Sequence, residues 1–205
     1  MSSAAPVETQ IEAVVFDMGG VLVELGPLTS ILGDDAMPED EFWPIWLASE
    51  TVRAFEMGRC TAEAFAMGLV ADLGLAYDGA ELLRRFAAWP QGLFDGAEDL
   101  VTELPGVVTA VLSNTNQLHW ESQRDAEVVQ TLFDRRYLSY ELGLAKPDDG
   151  IFEHVIADLG CASEAVVFLD DNQLNVDAAR RLGIEAHLTK GVEEARGVLA
   201  AVGLL

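Results

Sequence analysis

Four consecutive apolar residues, Ala13-Val14-Val15-Phe16, run into Asp17 and then into the glycine pair Gly19-Gly20. A short unbroken apolar run that ends at glycines reads as a buried strand followed by a tight turn. From residue 92 onward the pattern alternates. It predicts helices over 96–104, 125–133, 150–159, 176–182 and 192–202, with strands over 107–112, 136–138, 165–169 and 184–188 between them. Such alternation is the mark of a parallel sheet covered by helices. Between residues 25 and 90 no strand pattern stands out. Three helix starts do: Pro38-Glu39-Asp40-Glu41 with acids in the first turn, then Thr61 and Asp78, each ahead of an apolar face. The pattern therefore predicts an α/β core of residues 11–24 and 91–205, interrupted by an all-helical cap over 25–90 that rests on the mouth of the sheet. Phe42, Trp43 and Phe65 are expected in the cap's own core, and residues 1–10 as a frayed lead-in.

Composition narrows the function classes. The 205 residues suffice for one good core and a modest second lobe, not for two full domains. A formal net charge of −23 and a pI near 4.1 argue against nucleic acid or an anionic membrane as partner. An anionic ligand would need local cations, and the chain has only two lysines, Lys146 and Lys190. Cys60 and Cys161 lie far apart, without metal-site or redox spacing, and read as small core residues of a cytoplasmic protein. The first residues lack the basic and apolar segments of a secretory signal, and apolar runs such as 64–71 are too short to span a bilayer.

The chemistry lies at the strand ends. The predicted strands end in Asp17, in Ser113-Asn114 and in Asp170-Asp171, while Lys146 falls in the loop before a helix. Singly, each is an ordinary turn or cap residue. Together they fall at the C-terminal edge of one sheet, where open α/β sheets bind ligands. Carboxylates gathered there would repel one another unless a hard cation with oxygen ligands sat among them, and Mg²⁺ fits. Asp17 would keep an oxygen free to attack, and Ser113 and the Asn114 N–H, at a helix start, suit phosphate oxygens.

Four stretches now carry a resemblance: Val-Phe-Asp17-Met-Gly-Gly-Val-Leu, Leu-Ser113-Asn114-Thr-Asn, Gly-Leu-Ala-Lys146-Pro147-Asp and Phe-Leu-Asp170-Asp171-Asn-Gln-Leu-Asn175-Val. In order and spacing they resemble the four motifs of the haloacid dehalogenase superfamily, over essentially the whole chain and with a helical cap in that superfamily's place. Asn116 and His119 add a likeness to its branch of sugar-phosphate phosphatases, which includes an α-glucose-1-phosphate phosphatase. The resemblance implies a Rossmann-like three-layer α/β/α core and a Mg²⁺-dependent phosphatase of small phosphorylated metabolites, with sugar phosphates, and sugar-1-phosphates among them, as expected substrates. It implies that Asp17 forms an aspartyl-phosphate. Mg²⁺ would be held by Asp17, the Gly19 carbonyl and Asp171, with Asp170 and Asn175 in support. Ser113 and Asn114 would bind the phosphoryl group and Lys146 would neutralise charge beside Asp17.

One departure matters. Phosphatases of the superfamily usually carry a second Asp two positions after the nucleophile as general acid and base, and here that position is Gly19. Such a group contributes on the order of 10²–10⁴ in rate. Turnover is therefore expected to favour leaving groups that need little protonation, as in the sugar-1-phosphate branch, which also has Gly there. The alternatives are a stand-in from Glu24, His119 or the cap, or a protein that binds phosphorylated ligands without turning them over. A haloacid dehalogenase fits less well, since those enzymes carry a bulky aromatic at the Gly19 position and a fourth motif other than Asp-Asp. Arg53 and Arg59 lie in the cap and read by default as surface arginines on helices, with contact to the distal part of a substrate as the alternative.

Overall fold

The computed structural model describes residues 10–33 and 37–205, so the expected lead-in, apart from Gln10, lies outside the described residues. The chain enters through β1 (Ala13–Phe16) and turns into the short β2 (Val23–Leu25). Five helices follow: α1 (Leu28–Leu32), α2 (Glu39–Ala48), α3 (Glu50–Glu56), α4 (Ala62–Leu73) and α5 (Gly79–Ala87). The chain returns through β3 (Pro90–Leu93), α6 (Ala97–Thr102) and β4 (Val108–Ser113). Next come α7 (Gln117–Ser122), α8 (Ala126–Leu132), β5 (Arg135–Leu138), α9 (Ser139–Leu142) and α10 (Asp149–Leu159). It ends in β6 (Val166–Asp170), α11 (Gln173–Arg181), β7 (Glu185–Leu188) and α12 (Gly191–Ala201).

β1 is the centre of a five-stranded parallel sheet in the order β5-β4-β1-β6-β7. Its side chains alternate between two helical layers, as the period of a strand requires. Ala13 and Val15 pack with α10 and α11 residues such as Phe152, Val155 and Val176. Val14 and Phe16 pack with Leu100 of α6 and with Ala195 and Leu199 of α12. This is the Rossmann-like three-layer arrangement. Successive strands run outward from β1 on one side to β5, then restart on the other with β6. That reversal of order leaves a crevice at the C-terminal ends of β1, β4 and β6.

The helical insert has its own core, built on Phe42, Phe55, Phe65, Leu69, Leu82 and Phe86. Local signals set its helix ends. The Thr61 side chain accepts from the Ala64 N–H at 3.2 Å and Asp78 from the Glu81 N–H at 3.0 Å, while Gly74 stops α4 in the left-handed region at φ +64°. The insert is stitched to the core by an element that the pattern had not shown. β2 and β3 pair antiparallel, and Gly26 and Trp89 bond reciprocally: Gly26 N–H to the Trp89 carbonyl at 2.8 Å, Trp89 Nε1 to the Gly26 carbonyl at 2.7 Å. Such a pair, three and four residues long with a Pro and a Gly in one partner, has no periodicity of its own. The four- to seven-residue helices α1, α3, α7 and α9 also went unread, being too short to show a face. α11 starts at Gln173, ahead of the expected residue 176, because Asn172 caps it by accepting from the Leu174 N–H at 3.0 Å.

Among the described residues no helix is long and apolar enough to cross a membrane. Phe65 is fully buried and stacks on Phe55 with ring centroids 4.3 Å apart. Phe65→Ala is expected to lower stability by about 3–5 kcal/mol, read as a lower midpoint in urea unfolding.

Candidate active site

Strand register builds the site. Phe16 pairs with Val111 on one side and Leu169 on the other, so one residue further on the row across the sheet holds Leu112, Asp17 and Asp170. Lys146 reaches this row from the loop ahead of α10 and its ammonium meets all three. It lies 2.8 Å from Asp17 Oδ1, 2.7 Å from Asp170 Oδ2 and 2.9 Å from the Leu112 carbonyl oxygen. All three charged side chains are buried. Burial works against the lysine's charge, but Asp17 and Asp170 hold its ammonium above the ordinary lysine range. Burial also pushes Asp17 up to about 7, opposed by Lys146 and reinforced by Asp170 and Asp171.

The two acids after β6 are used differently. Both oxygens of Asp170 are engaged inside the protein: Oδ1 accepts from the Asn172 N–H at 2.8 Å and from Asn175 Nδ2 at 3.0 Å, and Oδ2 accepts from Lys146 and from Asn175 at 3.1 Å. Asp171 instead faces the turn after β1. Gly20 there adopts φ +75°, and a Cβ on it would collide with Asp171 Oδ2, so glycine is what lets this backbone approach the carboxylate. Burial, then Asp170, pushes Asp171 up to about 6. Asp17, Asp170 and Asp171 each offer an oxygen within 4.8 Å of the others, while a single ammonium is ion-paired among them. Hard oxygen donors with excess negative charge fit a divalent cation such as Mg²⁺. Asp17 and Asp171 are the two with oxygens left to offer, and Gly19 lines the same cavity beside them.

Ser113, buried at the end of β4, lines the cavity as expected. Asn114 differs in two ways. It does not open a helix, because α7 begins three residues later with Asn116 as its cap. Its carboxamide is also engaged: Nδ2 donates to the Lys146 carbonyl and Oδ1 accepts from the Lys146 N–H, both at 2.8 Å. The Asn114 side chain thus fixes the lysine's backbone, and only its main chain faces the role of phosphoryl binding.

Between the sheet edge and the insert lies a cavity of about 540 Å³, within the range of roughly 300–1,000 Å³ usual for small-molecule sites. All four tryptophans of the chain, Trp43, Trp46, Trp89 and Trp120, line it, and so do both lysines. Trp43 is therefore not confined to the insert's core, and the other three were missed. Their signal was present in the concentration of the chain's tryptophans on and next to the insert. Leu47 from α2 and Leu174 from α11, both more than half exposed, belong to the same lining. Arg53 lines the cavity and pairs with Asp148; Arg59 does not line it but donates to the Gly143 carbonyl at 3.1 Å. Glu24 is exposed on β2 and outside the lining. His119 lines the cavity with its Nε2 2.7 Å from the Phe86 carbonyl oxygen, and burial pulls it down to about 4. Glu56, at the last turn of α3, lines the cavity too, and burial pushes it up to about 7 against the pull of Lys146 and Arg53.

Known proteins resemble this chain in sequence and in fold. Over 200 residues, 95 % of this chain and 98 % of the other, it is 30 % identical to a sesquiterpene phosphatase of Aspergillus oryzae. It is 27 % identical over 193 residues to a D-ribitol-5-phosphate phosphatase of Bacteroides thetaiotaomicron, covering 85 % and 90 % of the two chains. A crystal structure of a HAD family enzyme of Bacteroides thetaiotaomicron, in complex with magnesium and inorganic phosphate, matches with a TM-score of 0.70 at 26 % identity over 88 % and 94 % of the two chains. The model of haloacid dehalogenase-like hydrolases matches residues 11–183, which reach from just before β1 to just past α11 and hold the ends of β1, β4 and β6 that form the site. The sheet, its carboxylate row and this match agree, and the chain belongs to the haloacid dehalogenase-like hydrolases.

Proposed function

We propose that the protein is a Mg²⁺-dependent phosphatase acting on phosphate monoesters of apolar alcohols, with Asp17 as nucleophile. The observation that carries this reading is the pairing of a cation-seeking carboxylate row with a tryptophan-lined cavity directly above it. Lys146 occupies Asp17 Oδ1, which leaves Oδ2 for phosphorus. Attack there breaks the bond from phosphorus to the alcohol oxygen and leaves an acyl phosphate on Asp17, which water then opens. The Ser113 hydroxyl and the Asn114 main chain bind phosphoryl oxygens, and Lys146 neutralises charge as it develops. Mg²⁺, held by Asp17, Asp171 and the Gly19 carbonyl, would supply further charge neutralisation at those oxygens.

Sugar phosphates are the second reading, supported by the second motif and by the D-ribitol-5-phosphate phosphatase among the relatives. Against it stands the chemistry of the lining. The side-chain amides of Asn114, Asn116, Asn172, Gln173 and Asn175 each already bond to protein atoms, which reduces what they can offer to sugar hydroxyls. The sesquiterpene phosphatase among the relatives supports an apolar alcohol.

Three outcomes are expected. Asp17→Asn abolishes phosphate release while the far-UV circular dichroism remains that of the wild type; undiminished release refutes the nucleophile. A series of n-alkyl phosphates gains about three- to fourfold in kcat/KM per methylene until the cavity is full, since each buried CH₂ contributes about 0.8 kcal/mol. A flat series, with glucose-1-phosphate or ribitol-5-phosphate ahead of it, favours the sugar reading. The third outcome concerns metal and pH. Asp17 is raised from 3.8 to about 7, so in that window the metal-free fold holds a proton the unfolded chain has released. The stability it contributes is present at low pH and lost as pH rises through about 7. A cation bound to the ionised carboxylates is free of proton competition above that window, so adding Mg²⁺ raises Tm more at pH 8 than at pH 5. An equal rise at both counts against this site.

A further inference from the structure

Position 19, on the turn after β1, has no side chain that could carry the proton in this reaction. Gly19 stands where the superfamily usually carries its acid, and a Cβ there would meet the end of the Leu25 side chain at 3.3 Å, a tight contact that Leu25 would have to ease by a few tenths of an ångström. Neither sequence-level substitute serves. Glu24 is exposed and outside the cavity's lining, and His119, which burial holds neutral at neutral pH, bonds the Phe86 carbonyl.

Glu56 is differently placed. It lines the cavity together with Asp17, Ser113 and Lys146, and it comes from the insert rather than from the core. The segment around it is fixed to the core by three contacts. Arg53 pairs with Asp148, two residues after Lys146. Arg59 donates to the Gly143 carbonyl at 3.1 Å. Gly58, at φ +66°, lies so close to the Tyr140 carbonyl oxygen that a Cβ on it would come within 2.5 Å. These contacts bracket Glu56 on both sides and fix its segment against the core at the wall of the cavity that Asp17 also lines. The charges that act on it are Lys146 from the core loop and Arg53 from its own helix. They favour the anion, burial favours the acid, and the balance near 7 makes both forms available at neutral pH.

We propose that Glu56 is the general acid and base of this site, acting on the ester oxygen that leaves and then on the water that attacks. The proposal rests on Asp17 being the nucleophile. As an Asp17 oxygen bonds to phosphorus and the ester P–O bond breaks, the Glu56 carboxyl gives its proton to the departing oxygen, and the alcohol leaves neutral. The Glu56 carboxylate then takes a proton from water as that water bonds to phosphorus and the bond from Asp17 to phosphorus breaks. Inorganic phosphate, the Asp17 carboxylate and protonated Glu56 result, and no other reactant is needed. An alkoxide is a poor leaving group, so this acid is what brings alkyl phosphates within reach.

The test compares Glu56→Gln and Glu56→Asp with wild type on an alkyl phosphate, whose leaving group needs the proton, and on p-nitrophenyl phosphate, whose leaving group does not. Glu56→Gln is expected to lose on the order of 10²–10⁴ in kcat/KM on the alkyl ester. On the aryl ester it is expected to release one equivalent of nitrophenol per enzyme in a rapid burst and then turn over slowly, because the water step lacks its base. Wild-type kcat/KM on the alkyl ester falls above about pH 7, and the variant lacks that limb. Glu56→Asp, which keeps a carboxyl, recovers part of the alkyl activity. Equal losses on both esters without a burst overturn the assignment in favour of a structural role, and wild-type turnover of the alkyl ester by Glu56→Gln overturns it outright. A burst that persists in Asp17→Asn would instead remove the nucleophile on which the proposal stands.

Discussion

One buried ammonium organises the sheet edge. Lys146 has three N–H bonds and three acceptors for them, Asp17, Asp170 and the Leu112 carbonyl, all on one row of the sheet. Burying such ions costs several kcal/mol each unless the geometry and the remaining hydrogen bonds are complete. Here they are nearly so: Asn114 clamps the lysine's backbone from both sides, and Asn175 with the Asn172 N–H completes Asp170. The charge, however, is not balanced. With Asp17, Asp170 and Asp171 all ionised, one ammonium leaves two negative charges in a small volume. The raised values of Asp17 and Asp171 are the metal-free chain's answer to that excess, and a divalent cation is the other answer available. The same imbalance that destabilises this row of carboxylates selects what it binds.

The rest of the molecule sharpens this local chemistry. A chain of net charge −23 repels a phosphate monoester at long range, although salt screens that field beyond about 8–10 Å. Both lysines of the sequence line the cavity that the carboxylate row opens into, so the chain's scarce ammonium groups are gathered where the phosphate must sit, and a divalent cation would offset the remaining negative charge. Beyond them the lining turns aromatic. Tryptophans supply large apolar area to an alcohol's hydrocarbon and hold it without a hydrogen-bond code. The arrangement separates the two halves of an ester, with charge at the sheet edge and carbon against the insert.

What the sequence disclosed follows from which interactions are local. β1, β4 and β6 are continuous apolar runs because they are buried on both faces, and their ends are marked by the polar residues that stop them. Asp17, Ser113, Asp170 and Asp171 could therefore be placed at one edge from pattern alone. Lys146 needed the motif order as well, since nothing local distinguishes it from a surface lysine before a proline. The β2–β3 ribbon and the short helices were illegible because tertiary pairing, rather than periodicity, holds them. The use of Asn114 was illegible for a related reason: an amide after a strand can cap a helix, bind a ligand or clamp a distant loop, and only the fold decides. Trp43 and Phe42 are neighbours on α2, yet one faces the cavity while the other is buried in the insert. A helix with apolar residues at 42, 43, 45, 46 and 47 does not announce which of them is turned outward.

Placing the acid on the insert changes what substrate binding accomplishes. A carboxylate on the β1 turn would be aligned with Asp17 by the sheet itself. Glu56 belongs to a unit with a separate core, so its place at the cavity wall depends on Arg53, Gly58 and Arg59 at the junction. The tryptophans that would hold the alcohol belong largely to that same unit: Trp43 and Trp46 on α2, Trp89 at its exit. With Glu56 as the proposed acid, an apolar alcohol seated against them would strengthen the docking that aligns it. Binding energy from a remote, unreactive hydrocarbon is thereby turned into orientation at the bond that breaks. On this logic a small polar ester loses rate for two separate reasons, a weak grip on the aromatic wall and an acid less firmly held over its leaving oxygen.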